Sequence, residues 1–387
     1  AWIHIQTIIL RWSKLLKMTE LSVIVPTYNE KSNIYKLIES LEIVLEDVSW
    51  EIIFVDDDSP DKTADEVRKI AQVNPKVRII HRIGRHGLSS ACTEGVLSSS
   101  SKYVLFMDAD MQHDEKIITK MLNSIKSGNY NLIVGSRFID GASASGGLSK
   151  IRANGSKLAI WMSQFILKPI QLNDTMSGFF MFEQQLFAKY ANSFSKHGFK
   201  ILLDFVMCAK KEIKLKEIGY SMRARYSGDS KMDHKVVLEY LELLIEHSIG
   251  KVLPVRFIFF VLVGASGLLL HLLNLFIFYK IFSYDFYTSQ LIATIISITS
   301  NYLINNILTY RDRMLKGMQL IYGLFSFYII CGIGAWSNLA ISSKLFESGV
   351  TWILAGLVGA GISSVWNYSV SSKLTWRWNV MLAKGNR

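Results

Sequence analysis

Two hydrophobic patterns divide the chain. Up to about residue 232, short apolar runs alternate with longer segments whose apolar positions recur at helical spacing. The runs are Leu21–Val25, Glu51–Val55, Val77–His81, Tyr103–Met107 and Leu132–Val134. Between them lie Lys31–Leu45, Lys62–Gln72, Leu88–Leu97 and Asp114–Ile125. A compact apolar run fits a strand buried on both faces, and strands alternating with helices predict a parallel α/β sheet. After Lys251 the pattern changes. Four stretches hold no Asp, Glu, Lys or Arg: Phe257–Tyr279, Phe286–Tyr310, Gly317–Ser343 and Ser348–Ser372. About 20 apolar residues cross a hydrocarbon core as a helix, so each stretch predicts a transmembrane helix.

The acidic residues obey the same division. Beyond Lys251 only Asp285, Asp312 and Glu347 are negative. The expected layout is an extension over residues 1–17, an α/β domain over 18–232, a linking segment over 233–253 and a four-helix membrane domain over 254–387. Residues 1–17 (AWIHIQTIILRWSKLLK) lack the charge order and cleavage site of a signal peptide. His234–Lys251 has helical spacing and is expected along the membrane surface or between the domains. Ile151–Leu167, with basic residues beside Trp161 and Phe165, is a second surface candidate.

Flanking charge sets the orientation. Lys251, Arg256, Arg311, Arg313, Lys316, Lys373, Arg377, Lys384 and Arg387 fall on one side of four spans, Lys280 and Lys344 on the other. The positive-inside bias places the α/β domain and the C-terminus in the cytoplasm. A prokaryotic plasma membrane fits best, and sequence does not separate it from an endoplasmic reticulum membrane. Gly264, Gly267, Gly332, Gly334, Gly356, Gly359 and Gly361 suit close helix packing. A homo-oligomer through this domain is compatible with the pattern.

The formal charge is +11. No dense Lys/Arg tract interleaved with aromatics accompanies it, which speaks against nucleic acid and for lipid head groups and a phosphate-rich substrate. Cys92, Cys208 and Cys331 stand far apart, so neither a disulfide framework nor a zinc site is expected.

Ligands of open α/β sheets bind at the carboxyl ends of the strands. Polar residues gather there: Tyr28, Asn29 and Glu30; then Asp56, Asp57 and Asp58; then Asp108 and Asp110. No GxGxxG or GxxxxGKS loop is present, which weakens dehydrogenase and P-loop alternatives. Asp108-Ala109-Asp110, with Gln112 two residues on, offers hard oxygen donors to Mg²⁺ or Mn²⁺ bridging a diphosphate. A polar strand-to-helix turn accounts for the same three residues equally well.

The wider set is more specific. Pro26-Thr27-Tyr28-Asn29-Glu30, Asp56-Asp57-Asp58-Ser59-Pro60-Asp61-Lys62-Thr63 and Asp108-Ala109-Asp110 stand in order with Gly87-Leu88 through Gly95, Val134-Gly135-Ser136-Arg137-Phe138, Ser177-Gly178-Phe179 and Gly228-Asp229-Ser230-Lys231-Met232. Over about residues 20–232 the chain resembles family-two inverting glycosyltransferases of the GT-A (Rossmann-like) fold, and among them the dolichyl-phosphate mannose synthases. The membrane half resembles GtrA-like four-helix domains.

The resemblance implies transfer of mannose from GDP-mannose to dolichyl (polyprenyl) phosphate, with a divalent metal. It implies that Pro26, Tyr28, Glu30, Val55 and Asp57 hold base and ribose. Asp108, Ala109, Asp110 and Gln112 would surround the metal and diphosphate, with Arg225 and Lys231 closing over the phosphates. Arg137, Arg152 and Ser156 would receive the acceptor phosphate. Two departures stand out: Asp58 occupies a position where Gly is frequent, and Ser occurs in Gly87-Leu88-Ser89-Ser90-Ala91 where Gly is common.

Three alternatives remain at this level. A polyprenyl-phosphate glucosyltransferase using UDP-glucose shares the motifs. A processive polysaccharide synthase would carry Gln-x-x-Arg-Trp, but Leu374 precedes Arg377-Trp378. A flippase or scaffold would be expected to lose the carboxylates, all of which are present.

Overall fold

A computed structural model describes residues 19–139, 141–143, 160–164, 166–195, 200–224, 226, 234–248, 250 and 253–378. The chain divides into two compact units, after Ser248. Residues 234–248, part of the 233–253 segment expected to link the domains, fall in the first unit.

In that unit a seven-stranded sheet is built from β1 (Leu21–Thr27), β2 (Trp50–Asp56), β3 (Val77–His81), β4 (Tyr103–Phe106), β5 (Leu132–Ser136), β6 (Phe180–Glu183) and β7 (Leu215–Gly219). Their order is β3-β2-β1-β4-β6-β5-β7. The helices are α1 (Ile34–Val44), α2 (Thr63–Ala71), α3 (Leu88–Leu97), α4 (Ile118–Lys126), α5 (Gln184–Tyr190), α6 (Ile201–Cys208) and α7 (His234–Ser248).

Strand alternation assigns the two faces. Leu21, Val23 and Val25 of β1 enter one core with Leu37 and Leu41 of α1, and Ile24 enters the other with Ala91 and Val96 of α3. All four β1 residues are fully buried, the expected state of a strand covered on both sides. Gly95 permits the close approach of α3, because a Cβ there would lie 2.4 Å from Ile24 Cγ2.

The sheet is mixed, which corrects the all-parallel expectation. β6 runs antiparallel between β4 and β5, pairing Phe180 with both Phe106 and Val134. Its direction brings Ser177-Gly178-Phe179 to the same edge as the carboxyl ends of β1, β2 and β4.

Helix α7 packs onto the α/β core through Tyr240, Leu243 and Leu244. His247 Nε2 lies 2.8 Å from Asp204 Oδ1 on α6, and Asp204 Oδ2 accepts the Ser195 N–H at 2.6 Å. Cys208 completes a group of three ligand-type side chains whose donor atoms lie within 4.8 Å. Cysteine spacing gave no hint of this grouping, because His247 comes from a distant helix. The buried Asp204 is satisfied by these donors, so the cluster reads as the latch of α7.

The second unit contains four long helices among the described residues: α8 (Val255–Phe276), α9 (Phe286–Ile307), α10 (Met318–Glu347) and α11 (Trp352–Lys373). A π-helical turn, Ile277–Ile281, prolongs α8. By length and apolarity, Val255–Ile281 and Met318–Glu347 suffice to cross a membrane. Helices α9 and α11 are more polar than the four-span expectation assumed; α9 buries Ser289, Ser297, Asn305 and Asn306. Glycines face polar side chains: a Cβ at Gly267, Gly334 or Gly359 would collide with Asn301, Asn367 or Ser342 respectively. Gly264, Gly332, Gly356 and Gly361 face open space, so only part of the predicted glycine set serves packing. Trp376, fully buried, stacks on Tyr310 at 3.9 Å between centroids and donates to Asn306 Oδ1 at 3.0 Å.

Candidate active site

The loops after β1 and β2 are stitched together. Asn29 N donates to Ser59 Oγ at 3.0 Å, Glu30 N to Thr63 Oγ1 at 3.1 Å and Lys31 N to Asp61 Oδ2 at 3.1 Å. Asp56 organises the second loop, accepting from Thr27 Oγ1, Ser59 N and Ser59 Oγ. Such short side-chain bonds to nearby backbone are what make aspartate a turn residue.

Asp57 is buried, takes a short charge-assisted bond from Arg82, and accepts the Gly87 N–H at 2.7 Å. It thereby ties β2 to the N-terminus of α3. Asp58 has φ +57°, the left-handed region, which explains the frequency of Gly there. Its carboxylate accepts from Gly84 N at 3.1 Å and contacts His81 Nε2 at 3.0 Å. The Gly84 N–H, then His81, hold that carboxyl below its ordinary value.

Of the residues expected at base and ribose, Tyr28 is exposed, its ring edge-on to His86, and Glu30 Oε2 accepts from Asn33 Nδ2 at 2.7 Å. Pro26 lines the cavity described below. Val55 and Ala109 bury their side chains in the core, so their backbones are what can meet a ligand.

The loop after β4 carries the acidic pair. The Asp108 side chain is 48% exposed, while Asp110 is buried and accepts the Gln112 N–H at 3.1 Å. A segment from the end of the domain lies across this loop. Arg223 N donates to Gln112 O at 2.9 Å, Gln112 Nε2 to Arg223 O at 3.2 Å and Tyr226 N to Asp110 O at 3.3 Å. Arg223 also pairs with Asp114 and Glu115 at 2.8 and 2.7 Å. Two carboxylates and a carboxamide within five residues form an all-oxygen donor set that fits a hard divalent cation. A Cβ at position 178 would lie 3.0 Å from Asp108 Oδ2, so glycine there lets β6 approach the carboxylate.

His113 was not anticipated. It stacks on Phe179 at 4.7 Å and accepts the Asp108 N–H through Nδ1 at 3.3 Å, which fixes the backbone of the acidic pair. Burial pushes its pKa down to about 4, so the ring is neutral at pH 7. With Nδ1 accepting, the hydrogen-bond pattern assigns the proton to Nε2. The sign follows: stability is intact above the unfolded value near 6.5 and is lost as pH falls toward 4. Between pH 7 and pH 4.5 this group costs on the order of 2 kcal/mol. In denaturant titrations at those two pH values, His113→Asn should lose stability less steeply than the parent; parallel losses would contradict it.

Arg137, expected at the acceptor phosphate, is paired with Asp174. Nε and Nη2 each lie 2.8 Å from the fully buried Asp174 carboxylate, which also accepts the Arg137 N–H at 3.0 Å. Burial pulls the guanidinium down, but Asp174 overrides it and holds it above its ordinary value. Asp174 is placed by Glu217, which accepts from Asn173 N at 2.9 Å and Asp174 N at 3.1 Å. Arg152, Ser156, Arg225 and Lys231 lie outside the described residues.

A cavity of about 100 Å³ opens at the sheet edge, lined by Pro26, Cys92, Asp108, Ser177, Gly178 and Lys200 among others. Burial pushes the Cys92 thiol far up, and Asp108 and Asp57 add to it, so Cys92 is an inert wall residue. Lys200 is half-buried, and burial, with Arg137 adding, lowers its pKa.

A mixed GT-A sheet with carboxylates on the β4 edge fits a glycosyltransferase, and known proteins agree. Residues 22–191 match glycosyl transferase family 2, and residues 259–376 match the GtrA/DPMS transmembrane domain. The chain is 30% identical to a dolichol-phosphate mannosyltransferase of Pyrococcus furiosus over 358 residues, 92% of this chain and 99% of that one. It is 31% identical to the Saccharomyces cerevisiae dolichol-phosphate mannosyltransferase over 236 residues, 59% of this chain and 86% of that one. The chain belongs to glycosyl transferase family 2, among the dolichol-phosphate mannosyltransferases that carry a GtrA/DPMS transmembrane domain.

Proposed function

We propose that this membrane enzyme transfers mannose from GDP-mannose to a polyprenyl (dolichyl) phosphate, with inversion, giving the β-mannosyl phosphate lipid and GDP. The observation that carries the proposal is the match to the Pyrococcus furiosus dolichol-phosphate mannosyltransferase, which covers nearly all of both chains. The acidic loop after β4 and the cation-bearing cavity beside it supply compatible chemistry.

The acceptor's phosphate oxygen attacks the anomeric carbon opposite the nucleotide. A new C–O bond forms as the bond to the diphosphate breaks, and GDP leaves with the electron pair. A phosphate is already ionised at pH 7, so the step needs no general base. Asp108 and Asp110 are accordingly assigned to positioning and not to proton abstraction. Asp108, Asp110 and Gln112 would hold Mg²⁺ or Mn²⁺, which when bound neutralises charge on the departing diphosphate. The Asp57–Arg82 pair and the bonds across the β1 and β2 loops keep the nucleotide side rigid, so little ordering is left to do on binding.

The flanking charges of the apolar helices support a cytoplasmic location for the catalytic domain. A donor panel tests the sugar and base. Purified full-length protein given an isoprenyl phosphate should use GDP-mannose in preference to UDP-glucose. Preference for UDP-glucose would reassign it to the glucosyltransferases of the same class.

A further inference from the structure

The cavity beside Asp108 has a charge balance that the motif-derived roles leave unexplained. Its wall is largely apolar, with Leu88, Phe106, Met107 and Met176 contributing. The neighbouring charges are Asp108, Lys200, Arg137 and Asp174. Arg137 and Asp174 cancel, because the guanidinium fork is closed by two 2.8 Å bonds to the carboxylate. Lys200 differs. Among the described residues its ammonium makes no hydrogen bond and no ion pair, and Asp108 acts on it only through space. Lys200 and Ile201, at the start of α6, both line the cavity, so the positive end of that helix faces it as well.

An anion entering this space meets the Lys200 ammonium, which is held in no ion pair among the described residues. Poorly hydrated walls strengthen that attraction over its value in water. Lysine suits the task because its ammonium is a mobile point charge on a flexible stem, able to follow a phosphate as it approaches. Building on the function proposed above, we propose that Lys200 is an acceptor-binding residue: its ammonium receives the phosphate of the isoprenyl phosphate lipid and holds it beside Asp108. Arg137 is held by Asp174, and the mobile charge is Lys200. The base-side loops after β1 and β2 are held by their own hydrogen bonds, none of which involves Lys200, so GDP binding should not depend on it.

The test uses full-length protein in phosphatidylcholine nanodiscs, as the parent, Lys200→Gln and Lys200→Arg. Citronellyl phosphate, citronellol and GDP are titrated separately by calorimetry. Lys200→Gln should weaken citronellyl phosphate at least tenfold and leave GDP within twofold, which also shows that the variant is folded. Lys200→Arg should recover most of the loss, and citronellol should not distinguish the three proteins. In turnover, the acceptor KM should rise with the donor KM unchanged. Unchanged citronellyl phosphate binding in Lys200→Gln, or a loss confined to GDP, overturns the assignment. Mannose transfer by the parent alongside that null result would sink Lys200 alone. Absence of mannose transfer with Lys200-dependent phosphate binding intact would sink the mannose donor alone.

Discussion

Asp110→Ala should lower turnover by about 10³-fold or more, because it removes a buried oxygen donor from the only all-oxygen set at the β4 edge among the described residues. Its structural cost should be small by comparison. The side chain accepts the Gln112 N–H, and such a bond contributes about 1 kcal/mol. The backbone bond from Tyr226 N to Asp110 O survives the substitution. Activity should therefore collapse while the thermal midpoint stays within a few degrees. Excess chelator should reproduce the loss in the parent protein, and full activity in either case would remove Asp110 from the donor site.

Asp174→Ala has the opposite character. It should destabilise the catalytic unit by about 3–5 kcal/mol, because it leaves the Arg137 guanidinium buried without its carboxylate. The Arg137 N–H loses its acceptor too, while the backbone bond from residue 174 to Glu217 survives. The double variant Asp174→Ala/Arg137→Leu should recover part of the loss, since removing both charges costs less than stranding one. Urea titrations of the four proteins measure the coupling. Additive effects of the two substitutions would mean that the pair is not the unit the geometry describes.

Legibility in the sequence followed the range of the interactions involved. Helix α3 and strand β3 begin and end where their patterns predict, because both are set by local periodicity and by a glycine before α3. Asp108, Asp110 and Gln112 could be found because a single loop carries them. Strand β6 was not found: its antiparallel place depends on β4 and β5, dozens of residues earlier. Strand β7, Leu215–Gly219, is half-exposed at the sheet edge and lacks a strong apolar run.

The supporting residues were hidden for the same reason. Arg82 acquires meaning only from Asp57, 25 positions before it, and Asp174 only from Arg137, 37 positions before it. His113 stands next to the acidic loop, yet its neutrality comes from burial against Phe179, which no local pattern encodes. Lys200 was passed over because nothing in its own neighbourhood marks it; the turn of β6 brings Gly178 and Ser177 opposite it. In the helical unit, charge-free length was readable, but the facing of Gly267 and Asn301 was not.

The central claim is transfer of mannose to a lipid phosphate, and one comparison tests it directly. Full-length enzyme in liposomes receives labelled GDP-mannose with either dolichyl phosphate or dolichol. Labelled mannolipid should form with dolichyl phosphate alone and be released by mild acid, as a glycosyl phosphate is. Equal transfer to dolichol, or no labelled lipid from dolichyl phosphate, would contradict the account.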